Sequence, residues 1–417
     1  MISYDEQGHV LIDGLSADAL AEQFGTPLYV YSADGFTSYF NAFQKAVSAV
    51  DASTHYAVKA NSSLGILQIL AAEGAGADIV SAGEMIRALK AGIEASDIVF
   101  SGVGKSDAEL RFALDNGIGQ INAESKAELE RIGFIAAEMG VVAPVALRVN
   151  VDVDAKSHEK ISTGQKDTKF GISVADGQAE QLYHWLCDHP HLRACGLAVH
   201  IGSQLTSLEP FEMAYKELLA VADRLREAGY DVPVLDLGGG LGVDYHNFSH
   251  PDFARYGEMV TRIFGNRGYK LGFEPGRSIA ADNGVLLTRI LYTKAGEDKR
   301  FVIVDGAMND LIRPTLYEAY HHIEPTRPAS KHDQPADIVG PVCETGDYLG
   351  RGRELADVGR GDVLMVRSAG AYGAVMMSNY NTRPEAAEIL IRAGRAEILR
   401  PRRTVEDLLK AENMLSG

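Results

Sequence analysis

Cysteine is scarce in this chain, cations are outnumbered, and long apolar runs are missing. The three cysteines, Cys187, Cys195 and Cys343, are odd in number and include no Cys-x-x-Cys pair. That pattern argues against a disulfide framework and against a structural zinc site, and no metal is expected. A reducing, cytoplasmic compartment is the simplest setting for such a sequence. Lysine and arginine total 40 against 57 acidic residues, a net charge of −17. So large an acidic excess argues against a nucleic-acid or anionic-membrane partner. No apolar run approaches the roughly 18 residues that span a bilayer. The opening Met-Ile-Ser-Tyr-Asp-Glu lacks the basic region and apolar core of a signal peptide.

What is present is a repeating pattern. Short apolar strands alternate with amphipathic helices from about residue 54 to residue 274. Strands are expected at 54–58, 76–80, 97–100, 118–122, 145–149, 195–200, 234–238 and 270–274. Helices are expected at about 64–73, 83–91, 106–116, 124–139, 176–188, 209–229 and 252–265. Such alternation implies βαβ units and a parallel sheet. Eight units fit a (β/α)8 TIM-type barrel better than a doubly wound open sheet. Upstream lie a short strand at 10–12, a helix at 17–24, a strand at 28–31 and a helix from Asp34 to about Val50. After Arg277 strand-like runs dominate, at 284–294, 301–304, 338–343, 363–367 and 388–391. Short helical stretches fall near 310–320 and 370–376. The expected organisation is a barrel over 32–276 and a second, mostly β domain built from 1–31 and 277–417. The basic run at 400–403 reads as a solvated turn before a last helix.

The chemistry should collect at the C-terminal ends of the barrel strands. Strand 1 runs into Tyr56-Ala-Val-Lys59-Ala-Asn61, and strand 2 contains Asp78. Strand 5 ends in Arg148-Val-Asn150, strand 6 in His200-Ile-Gly-Ser203, strand 7 in Asp236-Leu-Gly-Gly-Gly240 and strand 8 in Glu274-Pro-Gly-Arg277. A lysine at such a position can act as a Schiff-base nucleophile or be a plain surface cation. The glycine run can bring backbone N–H groups to an anion or be a simple tight turn. Its place after strand 7, with Gly276 in the loop after strand 8, suits a phosphate. Lys59 with a phosphate cradle suggests pyridoxal phosphate, and Glu274 could set the charge of its ring nitrogen. His200 could lie on the ring face or be a hydrogen-bonded core histidine. Polar groups of the β domain have equally plain alternatives: Arg313 and Tyr317 as a helix-end pair, Cys343 as a buried thiol, Tyr372 as a packing tyrosine.

Taken together, these motifs resemble those of the diaminopimelate decarboxylases, within the alanine-racemase-like group of pyridoxal-phosphate enzymes. The resemblance rests on Tyr56–Asn61, His200–Ser203, Leu237-Gly-Gly-Gly-Leu-Gly242 and Glu274–Arg277. It continues through Asn309-Asp-Leu-Ile-Arg-Pro-Thr-Leu-Tyr317, Cys343-Glu-Thr-Gly-Asp347 and Gly370-Ala-Tyr-Gly373, with His158–Gly164 and Lys169-Phe-Gly171 between. It covers Thr26 to about Ala387.

The resemblance implies a cofactor, pyridoxal 5'-phosphate, held covalently by Lys59, with His200 on its ring and Glu274 at its nitrogen. Asp78 belongs to the cofactor-binding set. Ser203, Gly239, Gly240, Gly276 and Arg277 would hold the phosphate, and Tyr372 would reach cofactor and substrate. Arg277, Arg313 and Tyr317 would bind the distal carboxylate of meso-diaminopimelate, and Glu344 its distal ammonium. Cys343 would donate the proton that replaces CO2, giving L-lysine. A homodimer is implied, with Cys343 and Glu344 contributed across the interface. The charge pattern disfavours ornithine or lysine as substrate, since neither has a distal carboxylate. A carboxynorspermidine or D-amino-acid decarboxylase is the nearest alternative enzyme. A racemase needs acid–base groups on both faces of the carbanion. A silent binding homologue would need neither Lys59 nor Cys343. The loop at 151–169 exceeds the usual 2 to 6 residues of a βα connection and is expected to be a lid.

Overall fold

The computed structural model describes residues 1–153, 169–248 and 251–415. The expected lid at 151–169 therefore lies almost wholly outside the described residues, as does the His158–Gly164 motif. Contacts divide the chain into two units: Thr37–Val243 with His250–Ser278, and Met1–Phe36 with Ile279–Gly417 and a short segment that begins at Asp244.

The first unit is an eight-stranded parallel barrel. Its strands are Ala52–Ala57, Gly76–Ile79, Ile98–Phe100, Gln120–Ala123, Ala143–Asn150, Leu192–Val199, Val234–Asp236 and Lys270–Phe273. Each pairs with the next, and the circle closes where Leu271 to Phe273 run beside Ala52 to Thr54. The expected strand order is therefore the observed one. Three consecutive barrel helices begin with the same Ser-x-x-Glu signal. Ser81, Ser106 and Ser125 each accept the backbone N–H three residues on, from Glu84, Glu109 and Glu128. The hydroxyl thus satisfies one of the donors that a helix start leaves open. The closure is packed by aromatics. Phe43 meets Phe253 and Phe273 edge-on at 5.5 and 5.7 Å, and Tyr215 and Tyr256 hydroxyls bond at 2.7 Å.

The second unit is mostly β. Its long strand Gly284–Ala295 pairs antiparallel with Leu28–Ser32, Arg300–Val304 and Val363–Val366. Leu28–Ser32 then pairs in parallel with Ala387–Arg392. Alternate residues of these strands share one core: Leu28 and Val30, Val285 and Leu287, Val363 and Met365, Ile389 and Ile391. A period of two puts them on one face of the sheet. Val10, Ile12 and Leu20 of the N-terminal segment cover that face.

Several boundaries differ from the sequence expectation. The run expected as a strand at 54–58 ends at Ala57, and Val58–Ala60 form a 3-10 turn. The helix expected to reach Val50 ends at Ala46. The strand expected at 338–343 ends at Val339, since Gly340 and Pro341 interrupt the ladder. The helix near 310–320 is confined to Arg313–Tyr317, stopped by Glu318 in the left-handed region at φ 52°. The stretch at 370–376 is helical only over Ala374–Met376, since Tyr372 is left-handed at φ 55°. Strands at Ile2–Tyr4, Ile323–Pro325, Tyr348–Arg353 and Arg395–Arg400 were too short or too charged to read. The basic run is not simply solvated: Arg400 pairs with Glu385 and Glu388, and Arg402 donates to the Pro27 carbonyl.

The β unit also holds a carboxyl under strain. Asp310 is buried, and one of its oxygens has no hydrogen-bond partner among the described residues. Burial pushes its carboxyl up to about 7, although the Ala307 N–H pulls the other way. A carboxyl raised above its unfolded value leaves the fold most stable below about pH 4, and that stability is lost as pH rises toward 7. Asp310→Asn keeps an oxygen for Ala307 and removes the charge. The variant should be more stable than wild type at pH 8 by on the order of 2–4 kcal/mol, with the difference vanishing near pH 4. Thermal unfolding across that range measures it, and parallel curves would show Asp310 to be solvated.

Candidate active site

In the barrel unit, the 3-10 turn after the first strand lifts Lys59 onto the rim. The turn is pinned from the last strand, where the Ala57 N–H donates to the Pro275 carbonyl at 3.1 Å. Lys59 Nζ lies 2.6 Å from Asp78 Oδ2 on the second strand. Asp78 is wholly buried and Lys59 one-third exposed. Burying a carboxylate without a cation costs several kcal/mol, and Lys59 is the cation placed against Asp78.

Next to this pair the barrel interior is polar. Gln120 Nε2 and Asn122 Nδ2, from the fourth strand, donate to Asp236 Oδ2 on the seventh at 3.2 and 3.4 Å. These strands are not neighbours in the sheet, so the bonds cross the barrel. Asn122 also donates to Ser101 Oγ, and Ser101 faces Glu274 Oε1 at 3.4 Å. Asp236 Oδ1 accepts the Gly238 N–H at 3.0 Å. Glu274 is buried just past the eighth strand, its N–H bonded to the Gly238 carbonyl at 2.8 Å. Burial, then the charges of Asp236 and Asp78, hold its carboxyl well above the usual range, with Lys59 opposing. Glu274 therefore holds its proton to higher pH than an ordinary carboxyl group.

His200 follows the sixth strand and accepts the Gly239 N–H at Nδ1, 3.3 Å away. Burial pushes its imidazole well below its ordinary value, and the cations of Arg148 and Lys59 add to this. Arg148 is itself paired with Glu124 at 2.9 Å, both buried. The histidine is thus neutral, with a cationic neighbour that keeps it so.

The glycines after strand 7 are required by space. A methyl group on Gly238 would meet the Val199 carbonyl, on Gly239 the Glu274 carbonyl, and on Gly240 the Gly202 carbonyl. On Gly276 it would lie 2.9 Å from the Ala57 side chain. Gly238 and Gly240 also have left-handed φ, +65° and +109°. Bare backbone therefore lines this part of the rim. Arg277 reaches Ser203 Oγ from the following helix at 3.1 Å. Backbone N–H groups, a hydroxyl and a guanidinium make a donor set that suits a phosphate. With an amine at Lys59 and a buried acid at Glu274, the residues present fit pyridoxal phosphate.

The remaining expected residues lie in the β unit. Arg313 is buried, its guanidinium 4.7 Å from the Tyr245 ring and 2.6 Å from His321 Nε2. His321 Nδ1 faces the Arg367 carbonyl at 2.8 Å. That oxygen can only accept, so Nδ1 carries the hydrogen and Nε2 is left to receive Arg313. Tyr317 closes the same short helix and is half-buried. Cys343 and Glu344 occupy an exposed turn. Asp347 holds that turn, accepting the N–H groups of Met308 and Val342, each at 2.7 Å. Tyr372 sits half-buried between Gly370 and Gly373, two glycines with no room for a side chain.

The structure thus brings Lys59, Asp78, His200, Ser203, Gly239, Gly240, Glu274, Gly276 and Arg277 into one barrel rim. It places Arg313, Tyr317, Cys343, Glu344 and Tyr372 in the β unit. Sequence reasoning gave no role to Ser101, Gln120, Asn122, Glu124 or His321. A signal existed for two of them. Gln120 and Asn122 alternate within a short strand, where a barrel interior calls for apolar residues.

Comparison with known proteins agrees with this geometry. The family model described as "Pyridoxal-dependent decarboxylase, pyridoxal binding domain" matches residues 34–281. A diaminopimelate decarboxylase from Neisseria meningitidis serogroup B is 49% identical over 393 residues, 94% of each chain. The solved structure of diaminopimelate decarboxylase from Helicobacter pylori, complexed with L-lysine, is 39% identical with a TM-score of 0.91, covering 94% of this chain and 98% of that one. The enzyme from M. jannaschii, in co-complex with L-lysine, is 34% identical with a TM-score of 0.93, covering 100% and 98%. Both fold and rim define a pyridoxal-phosphate-dependent decarboxylase. Within that class, the chain belongs to the diaminopimelate decarboxylase family.

The glycine rim gives a direct test. Gly239→Ala drives a methyl group into the Glu274 carbonyl and should weaken pyridoxal phosphate binding at least about tenfold, by the cost of moving backbone at a close approach. Equilibrium dialysis against the free cofactor measures this. Unchanged affinity would mean that the loop relaxes freely.

Proposed function

We propose that this chain decarboxylates meso-2,6-diaminopimelate to L-lysine and CO2, the last step of lysine biosynthesis, and does so as a homodimer. The observation that carries the reading is the rim itself, with a lysine, a buried acid and a bare glycine backbone side by side. The family relationship supports it over 94% of the chain. When bound, pyridoxal phosphate supplies an electron sink for the pair left behind by CO2. Lys59 Nζ would hold it, with Gly239, Gly240, Gly276, Ser203 and Arg277 at the phosphate and Glu274 at the ring nitrogen. Neutral His200 offers a flat, uncharged ring surface, and Tyr372 would contact cofactor and substrate.

The protein's own chemistry is charge recognition and one proton transfer. The substrate end that does not react carries both a carboxylate and an ammonium. Arg313, Arg277 and Tyr317 meet the first, and Glu344 the second. Decarboxylation removes one carboxylate from the D centre, and the Cys343 Sγ–H returns one proton to the same carbon. The exposed position of Cys343 and Glu344 supports their delivery to a partner subunit, where a two-fold axis would make the exchange mutual.

The purified enzyme should release CO2 from meso-diaminopimelate and show little or no activity on ornithine, lysine, carboxynorspermidine or D-amino acids lacking the distal pair. Preference for any of these would overturn the substrate assignment. Arg313→Ala should weaken diaminopimelate binding by roughly 2–5 kcal/mol, because a buried carboxylate loses its cation. Steady-state kinetics checks this, and unchanged KM and kcat would remove Arg313 from the site.

The shared site predicts rescue between two inactive proteins. Lys59→Ala lacks the cofactor attachment and Cys343→Ala lacks the proton donor. Mixed dimers combine one intact Lys59 with one intact Cys343 at a single site. After subunit exchange at equal concentration, activity should return to roughly a quarter of wild type per site, from the statistics of two-fold pairing. Confirmed exchange by native mass spectrometry without recovery would place Cys343 in its own chain's site or outside catalysis.

A further inference from the structure

We infer that His321 is a specificity-determining positioning residue: in the β unit its neutral imidazole holds the tip of Arg313 ready for the distal carboxylate of the substrate without cancelling the guanidinium's charge. The inference rests on the reading that Arg313 meets that carboxylate. It begins from the backbone. Arg313 opens the short helix Arg313–Tyr317, and the Tyr348 hydroxyl donates to the Pro314 carbonyl at 3.0 Å, fixing the base of that helix. Glu318, left-handed at φ 52°, turns the chain back after the helix. The returning residues lead into the strand Ile323–Pro325, which pairs with Val363–Val366. The Arg367 N–H extends that ladder to the His322 carbonyl at 2.9 Å. This pairing sets the Arg367 carbonyl beside His321, 2.8 Å from Nδ1.

Hydrogen bonding leaves one tautomer. A carbonyl oxygen only accepts and a guanidinium only donates. The hydrogen of His321 is therefore on Nδ1, directed at Arg367, and the lone pair of Nε2 receives Arg313 Nη1 at 2.6 Å. An imidazolium would set N–H against N–H there. His321 and Arg313 are both buried, with the Tyr245 ring 4.7 Å from the guanidinium and edge-on to His321 at 5.2 Å. Neighbouring rings clamp the same two segments together. His246 stacks on Tyr320 at 3.9 Å, and Phe248 meets His322 edge-on at 5.1 Å.

An arginine side chain loses much rotamer freedom when its tip is fixed. His321 and Tyr245 fix it before a ligand arrives, so less of the binding energy goes into ordering it. The chemistry of this clamp matters as much as its grip. An acidic residue in place of His321 would take the guanidinium as an ion pair and lessen its pull on a second carboxylate. A neutral imidazole and an aromatic face orient the planar fork and take none of its charge. His321 therefore acts on recognition of an amino acid end that bears a carboxylate, not on the carbon that loses CO2.

The test is steady-state kinetics of the holoenzyme for His321→Leu, His321→Gln, Arg313→Ala and the double variant that combines His321→Leu with Arg313→Ala. Glutamine can accept from Arg313 and donate to the Arg367 carbonyl, and leucine can do neither. His321→Leu should raise KM for meso-diaminopimelate by about tenfold or more, the worth of a hydrogen bond to a charged group, with kcat changed by less than about threefold. His321→Gln should recover most of that loss, and the double variant should be no worse than Arg313→Ala. An unchanged KM in His321→Leu, equal impairment of the leucine and glutamine variants, or losses that multiply in the double variant would overturn the inference. If Arg313→Ala itself leaves KM unchanged, the prior placement of Arg313 fails instead. Nitrogen-15 NMR of histidine-labelled wild type and Arg313→Ala decides the case in which His321→Leu does not fold. A neutral imidazole with its hydrogen on Nδ1, whose Nε2 signal moves in Arg313→Ala, supports the inference, and absence of any such signal overturns it.

Discussion

The contact between Lys59 and Asp78 is the constraint on which the barrel chemistry depends. Asp78 is fully buried, and two further carboxyl groups, Asp236 and Glu274, lie close enough for their charges to act on each other. Three negative charges in one interior would be prohibitive. The structure sets one ammonium against Asp78 and three N–H donors against Asp236, while burial and its acidic neighbours raise the proton affinity of Glu274. Each group is met by a different means. The same lysine that neutralises Asp78 also depresses the proton affinity of His200. Burial does most to lower His200, and Arg148 adds more than Lys59 does.

The barrel was legible in the sequence because its signal is repeated. Eight apolar runs with intervening amphipathic helices fixed strand number and order. The β unit was harder to read. Its pairings join Leu28 to Ala387 and Leu28 to Leu287, partners that local periodicity cannot find. Boundary errors had local causes: a left-handed Tyr372, a left-handed Glu318, and Gly340-Pro341 breaking a strand. Among site residues, those in dense motifs stood out, such as Lys59, Glu274 and the glycine run. The cross-barrel network did not, because Gln120, Asn122 and Asp236 acquire meaning only once strands four and seven face each other. His321 was hidden for a different reason. Its part is to receive a hydrogen bond from Arg313, a role that depends on which ring nitrogen the Arg367 carbonyl claims.

The Cys343–Glu344 turn shows how an exposed group can still be exactingly placed. Its order comes from beneath, where buried Asp347 gathers two backbone N–H groups from separate segments. Gly340 must be glycine because any side chain would strike that carboxylate. A loop built in this way holds its outward side chains on a fixed frame.

The strand Leu28–Ser32 has a consequence for biosynthesis. It lies between Gly284–Ala295 and Ala387–Arg392, so both of its neighbours are made only after the barrel. A ribosome emits the strand early and must complete the whole intervening barrel before either neighbour appears. Until then the segment presents unsatisfied strand edges and the apolar residues Leu28 and Val30 to its surroundings. The long sequence separation also slows pairing once the neighbours arrive. The nascent chain therefore passes through a stage with a finished barrel and an orphaned strand, and it is at this stage that chaperone occupancy or misassociation between neighbouring chains has its opening.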